Sequence, residues 1–154
     1  MNIYFILYLL LIVAPIGTII HETGHLIGAI IVKADRISIS IGLGKKIGTY
    51  SFRNVTINIH TLFFLGGYVQ SQRKASYETS EVVWITIFGP INNAVFAMIF
   101  YFMNEIYVHP YIQILFLFNL WLAVVNIIPF KIRGKQSDGY MILKAILKRD
   151  TLFK

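Results

Sequence analysis

The chain has 154 residues, 56% of them hydrophobic and 14% charged, with a mean hydropathy of +0.67 and a formal net charge of +7. That length fits one domain, and that composition excludes an ordinary soluble globular protein. Cysteine is absent, so disulfides and thiolate metal sites are excluded, and any metal must be held by His, Asp or Glu.

Three stretches are apolar and long enough to cross a bilayer as helices: about 3–32, 82–103 and 111–130. The first is overlong, with room to tilt, kink at Pro15 or project beyond the hydrocarbon. A cleaved signal peptide is the rival reading of this segment. No Lys or Arg precedes Lys33, however, so the basic leading region of such peptides is missing.

The basic residues then orient the spans. Lys33, Arg36, Lys45, Lys46, Arg53, Arg73 and Lys74 lie between the first two, and Lys131, Arg133, Lys135, Lys144, Lys148, Arg149 and Lys154 follow the third. The connection "NEIYVHP" carries none. The excess of Lys and Arg on one side predicts a multi-pass protein of the cell membrane with its N-terminus outside and its C-terminus cytoplasmic. Anionic lipid headgroups account for the net charge, and no nucleic acid is needed.

Between the first two spans, about 36–70, the pattern changes period. Ile37, Ile39 and Ile41 alternate with Ser38 and Ser40, "GLGKK" breaks the run, and "IGTYSF" and "VTINIH" flank Arg53-Asn54 before "TLFFLGGYV". This predicts a small antiparallel sheet on the cytoplasmic side. Its isoleucine faces are expected on the membrane surface or over the helices, and an unpaired edge would offer main-chain hydrogen bonds to an extended peptide. After the third span, "GYMILKAILKRD" sets Lys144 and Lys148 one turn apart beside Met141, Ile142, Ala145 and Ile146, which predicts a basic amphipathic helix at the interface. The expected architecture is a single α-helical membrane domain over 1–154.

Inside the first apolar stretch stands "HETGH". His21 and His25 are four apart, so on a helix they share a face and can reach one zinc, with Glu22 beside them able to take a proton from water. H-E-x-x-H is a zinc hydrolase signature. A buried carboxylate in an apolar helix costs several kcal/mol unless neutralised or paired, and intramembrane ionisable residues are usually functional. A catalytic zinc needs a third protein ligand. Ile31 stands where a longer form of the motif would place a His. Glu105 and His109 lie on the outer side and Asp35 points away, which leaves Glu78, Glu81, Asp138, Asp150 and His60. Of these, Asp138 precedes Gly139 just after the third span, where a turn could carry it back.

Five motifs in order, "HETGH", "FLGGYV", "FGPINN", "NIIP" and "SDG", resemble the site-2 proteases, which are intramembrane zinc metalloproteases. The resemblance covers nearly the whole chain. It implies that His21, His25 and Asp138 hold one zinc per chain and that Glu22 is the catalytic base. It also implies that Asn93 and Asn126 meet the substrate or its oxyanion. The segment from Asn126 to Asp138 is longer than in many members, because the basic "KIRGKQ" is inserted. The implied substrates are membrane-spanning or membrane-associated peptides in a bacterial cell. A membrane zinc-binding carrier or scaffold that binds without cutting is the alternative, against which the non-ligand Glu22 argues.

Overall fold

Helix α1 (Ile3–Tyr8) and helix α2 (Ala14–Ile31) are joined by a π-helical turn at Leu9–Val13 into one apolar rod, Ile3–Ile31. The computed structural model describes residues 3–132 and 134–152, so Arg133 and Lys154 lie outside the described residues. The widened turn comes just before Pro15, whose ring has no N–H to give and crowds the carbonyl four residues back. The overlong first span therefore adjusts its winding at the position where the sequence predicts a kink.

Among the described residues, helix α3 (Thr79–Ile106) and helix α4 (Pro110–Ile127) are the other two helices long and apolar enough to cross a membrane. Helix α3 begins earlier than its hydropathy predicts because Glu78 and Glu81 form a capping box, in which Glu78 N donates to Glu81 Oε2 at 2.8 Å. The helix then runs through Pro90. Helix α4 stops at Ile127, short of the expected 130. Ile128 is extended because it precedes Pro129, and that position disfavours helix. Large apolar side chains such as Ile27, Met98, Phe102, Leu117 and Trp121 are exposed on the outside of the bundle. Such a surface suits lipid and not water.

Strands β1 (Arg36–Phe52) and β2 (Val55–Gln72) form an antiparallel pair. Each bends back on itself, so Ile37 faces both Val55 and Ser71. Four segments thus lie side by side, with 67–72 at one edge and 48–52 at the other. The breaks match the predicted ones: Gly42 and Gly44 adopt φ +85 and +92 in the first bend, and Arg53 and Asn54 form the hairpin turn. The isoleucine face does not spread on the bilayer. Ile37 packs against Ala29 and Ala34 at the end of α2, and Ile39 is buried as well.

Arg73 ties this sheet to the helices. Its guanidinium donates to Glu81 Oε1 and Oε2 at 2.7 and 2.6 Å and to Val32 O at 2.9 Å, while lying over the Tyr77 ring. The paired hydrogen bonds to Glu81 raise the Arg73 pKa above its ordinary value.

After α4 the inserted residues fold out as a small hairpin, β3 (Lys131–Ile132) with β4 (Lys135–Gln136), turning at Gly134 with φ +86. Helix α5 (Asp138–Leu152) then returns to pack on α3 and α4.

Candidate metal centre

The buried residues of α2 include Gly17, Ile20, His21, Gly24 and Gly28, a stripe at helical spacing that faces the other helices. Three glycines let the backbones close up. A Cβ on Gly24 would strike Phe88 O, one on Gly28 would lie 2.8 Å from Ile85 Cα, and one on Gly89 would lie 2.5 Å from His25 Nε2. Gly24 and Gly28 are four apart, the small-residue spacing that brings membrane helices into close contact. This crossing sets the histidines directly against the backbone of α3.

Partners across that crossing fix both imidazoles. His21 Nδ1 donates to Asn93 Oδ1 at 2.6 Å, since an amide oxygen can only accept, and His25 Nδ1 donates to Ile85 O at 2.9 Å. Each neutral ring therefore turns the lone pair of Nε2 inward. The two Nε2 atoms lie 3.1 Å apart.

Asp138 completes the cluster. Its Oδ2 lies 3.0 Å from His21 Nε2 and its Oδ1 3.4 Å from His25 Nε2. The Ser137 Oγ accepts from Tyr140 N at 3.2 Å, capping α5, and donates to Ile128 O at 2.7 Å. Gly139 sits where a Cβ would collide with Ile127 O, so the start of α5 can lie flush on the end of α4. In "SDG", then, the serine caps the helix, the aspartate supplies the carboxylate and the glycine permits the close approach.

The donor set fits a metal ion. Two imidazole lone pairs and a carboxylate converge, and one added proton could join only one pair of these acceptors. Glu22 Oε2 is also buried without a hydrogen-bond partner, as is Asp138 Oδ2 unless His21 carries a second proton. Ligand atoms at about 2.0 Å from a tetrahedral zinc stand about 3.3 Å from one another. The two Nε2 atoms, 3.1 Å apart, are near that edge, and each has a carboxylate oxygen of Asp138 at a similar distance, Oδ2 at 3.0 Å from His21 and Oδ1 at 3.4 Å from His25. Among the described residues, His21, His25 and Asp138 form the group able to hold a metal ion.

The other candidates stand elsewhere. Glu78 and Glu81 are used in the helix cap, with Glu81 also on Arg73, and His60 Nδ1 faces Ile41 O at 3.3 Å in the sheet. The side chain of Asp150 is outside the described residues.

A cavity of about 360 Å³ opens on the cluster, lined by Glu22, Tyr68, Val69, Asn126 and Asp138 among others. Strand β2 forms its wall, and a Cβ on Gly67 would stand 3.0 Å from Glu22 Cγ. The second glycine of "FLGGYV" thus makes room for the carboxylate. Asn126 lines this cavity, and its Nδ2 donates to Leu122 O at 2.9 Å. Asn93, expected to meet the substrate, lies behind His21 with no exposure, and its Nδ2 donates to Gly17 O and Asn119 Oδ1. Sequence reading passed over the helix-crossing role of Gly24 and Gly89, although the spacing of Gly24 and Gly28 carried a signal.

Three apolar helices around two helical histidines and a carboxylate define a membrane protein with a candidate metal centre at its core. The chain belongs to peptidase family M50, the site-2 protease family, which matches residues 4–109. The matched stretch holds His21, Glu22, His25 and Asn93 but stops before Asn126 and Asp138. Members of the family are zinc metallopeptidases. No curated protein matches the chain.

Proposed function

We propose that the chain is an intramembrane zinc metalloendopeptidase that hydrolyses peptide bonds of membrane-embedded or membrane-associated substrates. One observation carries this reading: the inward lone pairs of His21 and His25 meet Asp138 beside the unpartnered Glu22 carboxylate at the wall of an open cavity.

His21, His25 and Asp138 would hold the zinc. When bound, it supplies Lewis acidity toward water and the scissile carbonyl. Glu22 accepts the proton of the attacking water and returns it to the leaving amine, the part for which a non-ligand carboxylate beside the first His is suited. Asn126 faces the same cavity and can donate to the oxyanion or to substrate backbone once it exchanges its bond to Leu122 O. Asn93 acts through His21, whose ring it orients.

A membrane-spanning substrate must be unwound before its amide is accessible. The strand edge at 67–72, which carries Tyr68 and Val69 at the cavity wall, offers the main-chain hydrogen bonds to hold it extended. The chain is oriented with its N-terminus outside and both basic segments on the cytoplasmic face of a bacterial membrane, against anionic headgroups, with α5 at the interface.

The test is zinc content and cleavage of a single-span reporter by detergent-purified protein, with Glu22→Gln and Asp138→Ala in parallel. The expected result is one zinc per wild-type chain, with cleavage lost in both variants. Full zinc occupancy with cleavage retained by Glu22→Gln would overturn the mechanism. Zinc without cleavage in the wild type, across several reporters, would favour a zinc-binding carrier or scaffold.

A further inference from the structure

Behind the candidate metal centre, a chain of buried amides crosses all three membrane helices. His21 Nδ1 donates to Asn93 Oδ1 at 2.6 Å, Asn93 Nδ2 donates to Asn119 Oδ1 at 2.8 Å, and Asn119 Nδ2 donates to Leu115 O at 2.8 Å. Asn93 and Asn119 are both fully buried. The proposed reaction uses neither amide directly, and Asn119 is absent from the cavity wall.

We infer that Asn119 is a positioning residue for metal binding, holding the Asn93 amide together with Gly17 O so that its oxygen faces His21. The argument is one of direction. An Asn side chain can present either its oxygen or its nitrogen to a neighbour, and only the partners decide which. Asn93 has two N–H bonds to place. Gly17 O takes one at 3.1 Å and Asn119 Oδ1 takes the other. Asn119 is in turn oriented by Leu115 O, a carbonyl of its own helix that can only accept. Starting from that carbonyl, every donor and acceptor in the chain is determined, and the last acceptor stands opposite His21 Nδ1.

The consequence falls on the other side of the imidazole. With Asn93 Oδ1 accepting, the proton of neutral His21 is held on Nδ1 and the lone pair stays on Nε2, toward His25 and Asp138. A reversed Asn93 amide would put N–H against Nδ1, move the ring proton to Nε2 and close that nitrogen to a metal. Partners of this kind, one step behind a ligating His, commonly change metal affinity about 10-fold to 100-fold when lost. Asn119 extends the same logic one residue further and links α4 to α2 through α3.

This inference rests on His21 being a metal ligand, and the test separates the two. Zinc affinity is measured by chelator competition, and the visible spectrum of the cobalt-loaded protein reports the ligand geometry. Asn119→Leu removes the acceptor and is expected to weaken zinc by about 10-fold and alter the cobalt spectrum. Asn119→Asp, protonated in this buried setting, donates to Leu115 O as the amide does, keeps an oxygen facing Asn93 and is expected to bind close to wild type. Adding Asn93→Asp to Asn119→Leu gives His21 an acceptor that cannot be reversed, and should restore the affinity. Equal losses in the Leu and Asp variants would show a packing effect and overturn the inference, as would wild-type affinity in Asn119→Leu. A wild-type chain that binds no zinc defeats the metal reading itself, and this inference with it.

Discussion

Ser137 N donates to Phe130 O at 3.0 Å while Phe130 N donates to Ser137 Oγ at 3.0 Å, so these two residues close the chain across the insertion between them. The longer path from Asn126 to Asp138 is thereby looped out as the β3–β4 hairpin, and Asp138 reaches the histidines as if the insertion were not there. Replacing residues 131–136 with a two-residue Asn-Gly turn should therefore leave zinc affinity unchanged. Loss of zinc in this variant, measured by chelator competition, would mean that the hairpin itself holds Asp138 in place.

Gly139 carries the other half of that placement. A methyl group there meets Ile127 O, so Gly139→Ala must push the start of α5 off α4 and take Asp138 with it. The expected outcome is a loss of zinc comparable to Asp138→Ala, in a protein whose helical circular dichroism is retained. Normal zinc binding by Gly139→Ala would show that α5 can shift without moving the carboxylate.

Much of this was legible in the sequence, and the limits have physical causes. The two-residue period of "ISISI" and the breaks at Gly42 and Arg53-Asn54 marked the strand segments correctly, because alternation and turn chemistry are local. Alternation does not say what covers the apolar face, and Ile37 chose Ala29 and Ala34 over lipid. Pro90 does not break α3, because a helix packed on neighbours tolerates the missing N–H. The His21 and His25 pair followed from helical spacing. The bond from His21 to Asn93 joins residues 72 apart, and no local pattern encodes such a pairing. The β3–β4 hairpin has two paired residues on each side, too few to show a period.

Glu22 is buried against Gly67, with Oε2 lacking a hydrogen-bond partner. If Glu22 acts in proton transfer, Glu22→Gln should lower kcat by about 10²–10⁴-fold while zinc stoichiometry stays at the wild-type value. A reporter-cleavage assay beside metal analysis reads both. A parallel fall in zinc would recast Glu22 as a ligand.

The helix crossing at Gly24 and Gly28 makes a sharper prediction about stability. Gly24→Ala places a methyl group into Phe88 O, a backbone atom that cannot rotate away, and overpacking of this kind costs about 1–3 kcal/mol. Gly48→Ala is the matched control, because its Cβ would meet only the Tyr50 ring at 3.5 Å. Its effect should stay within about 0.5 kcal/mol. Thermal unfolding in detergent compares the two, and equal stability would mean that the crossing is looser than its glycines imply.

Metal removal tests the cluster as an electrostatic unit. With no cation and both imidazoles neutral, the Asp138 carboxylate faces two lone pairs in a buried setting, an arrangement that costs stability. Free zinc at 100 times its Kd should add about 2.7 kcal/mol of stability to the wild type, seen as a rise in Tm. Asp138→Asn removes the charge together with a ligand, so its effect should reverse between conditions. In chelator the variant should melt at or above the wild type, because an amide can donate to a histidine nitrogen. In zinc it should melt below, because the third ligand is lost. The same order of Tm in both conditions would mean that Asp138 contributes packing rather than metal binding.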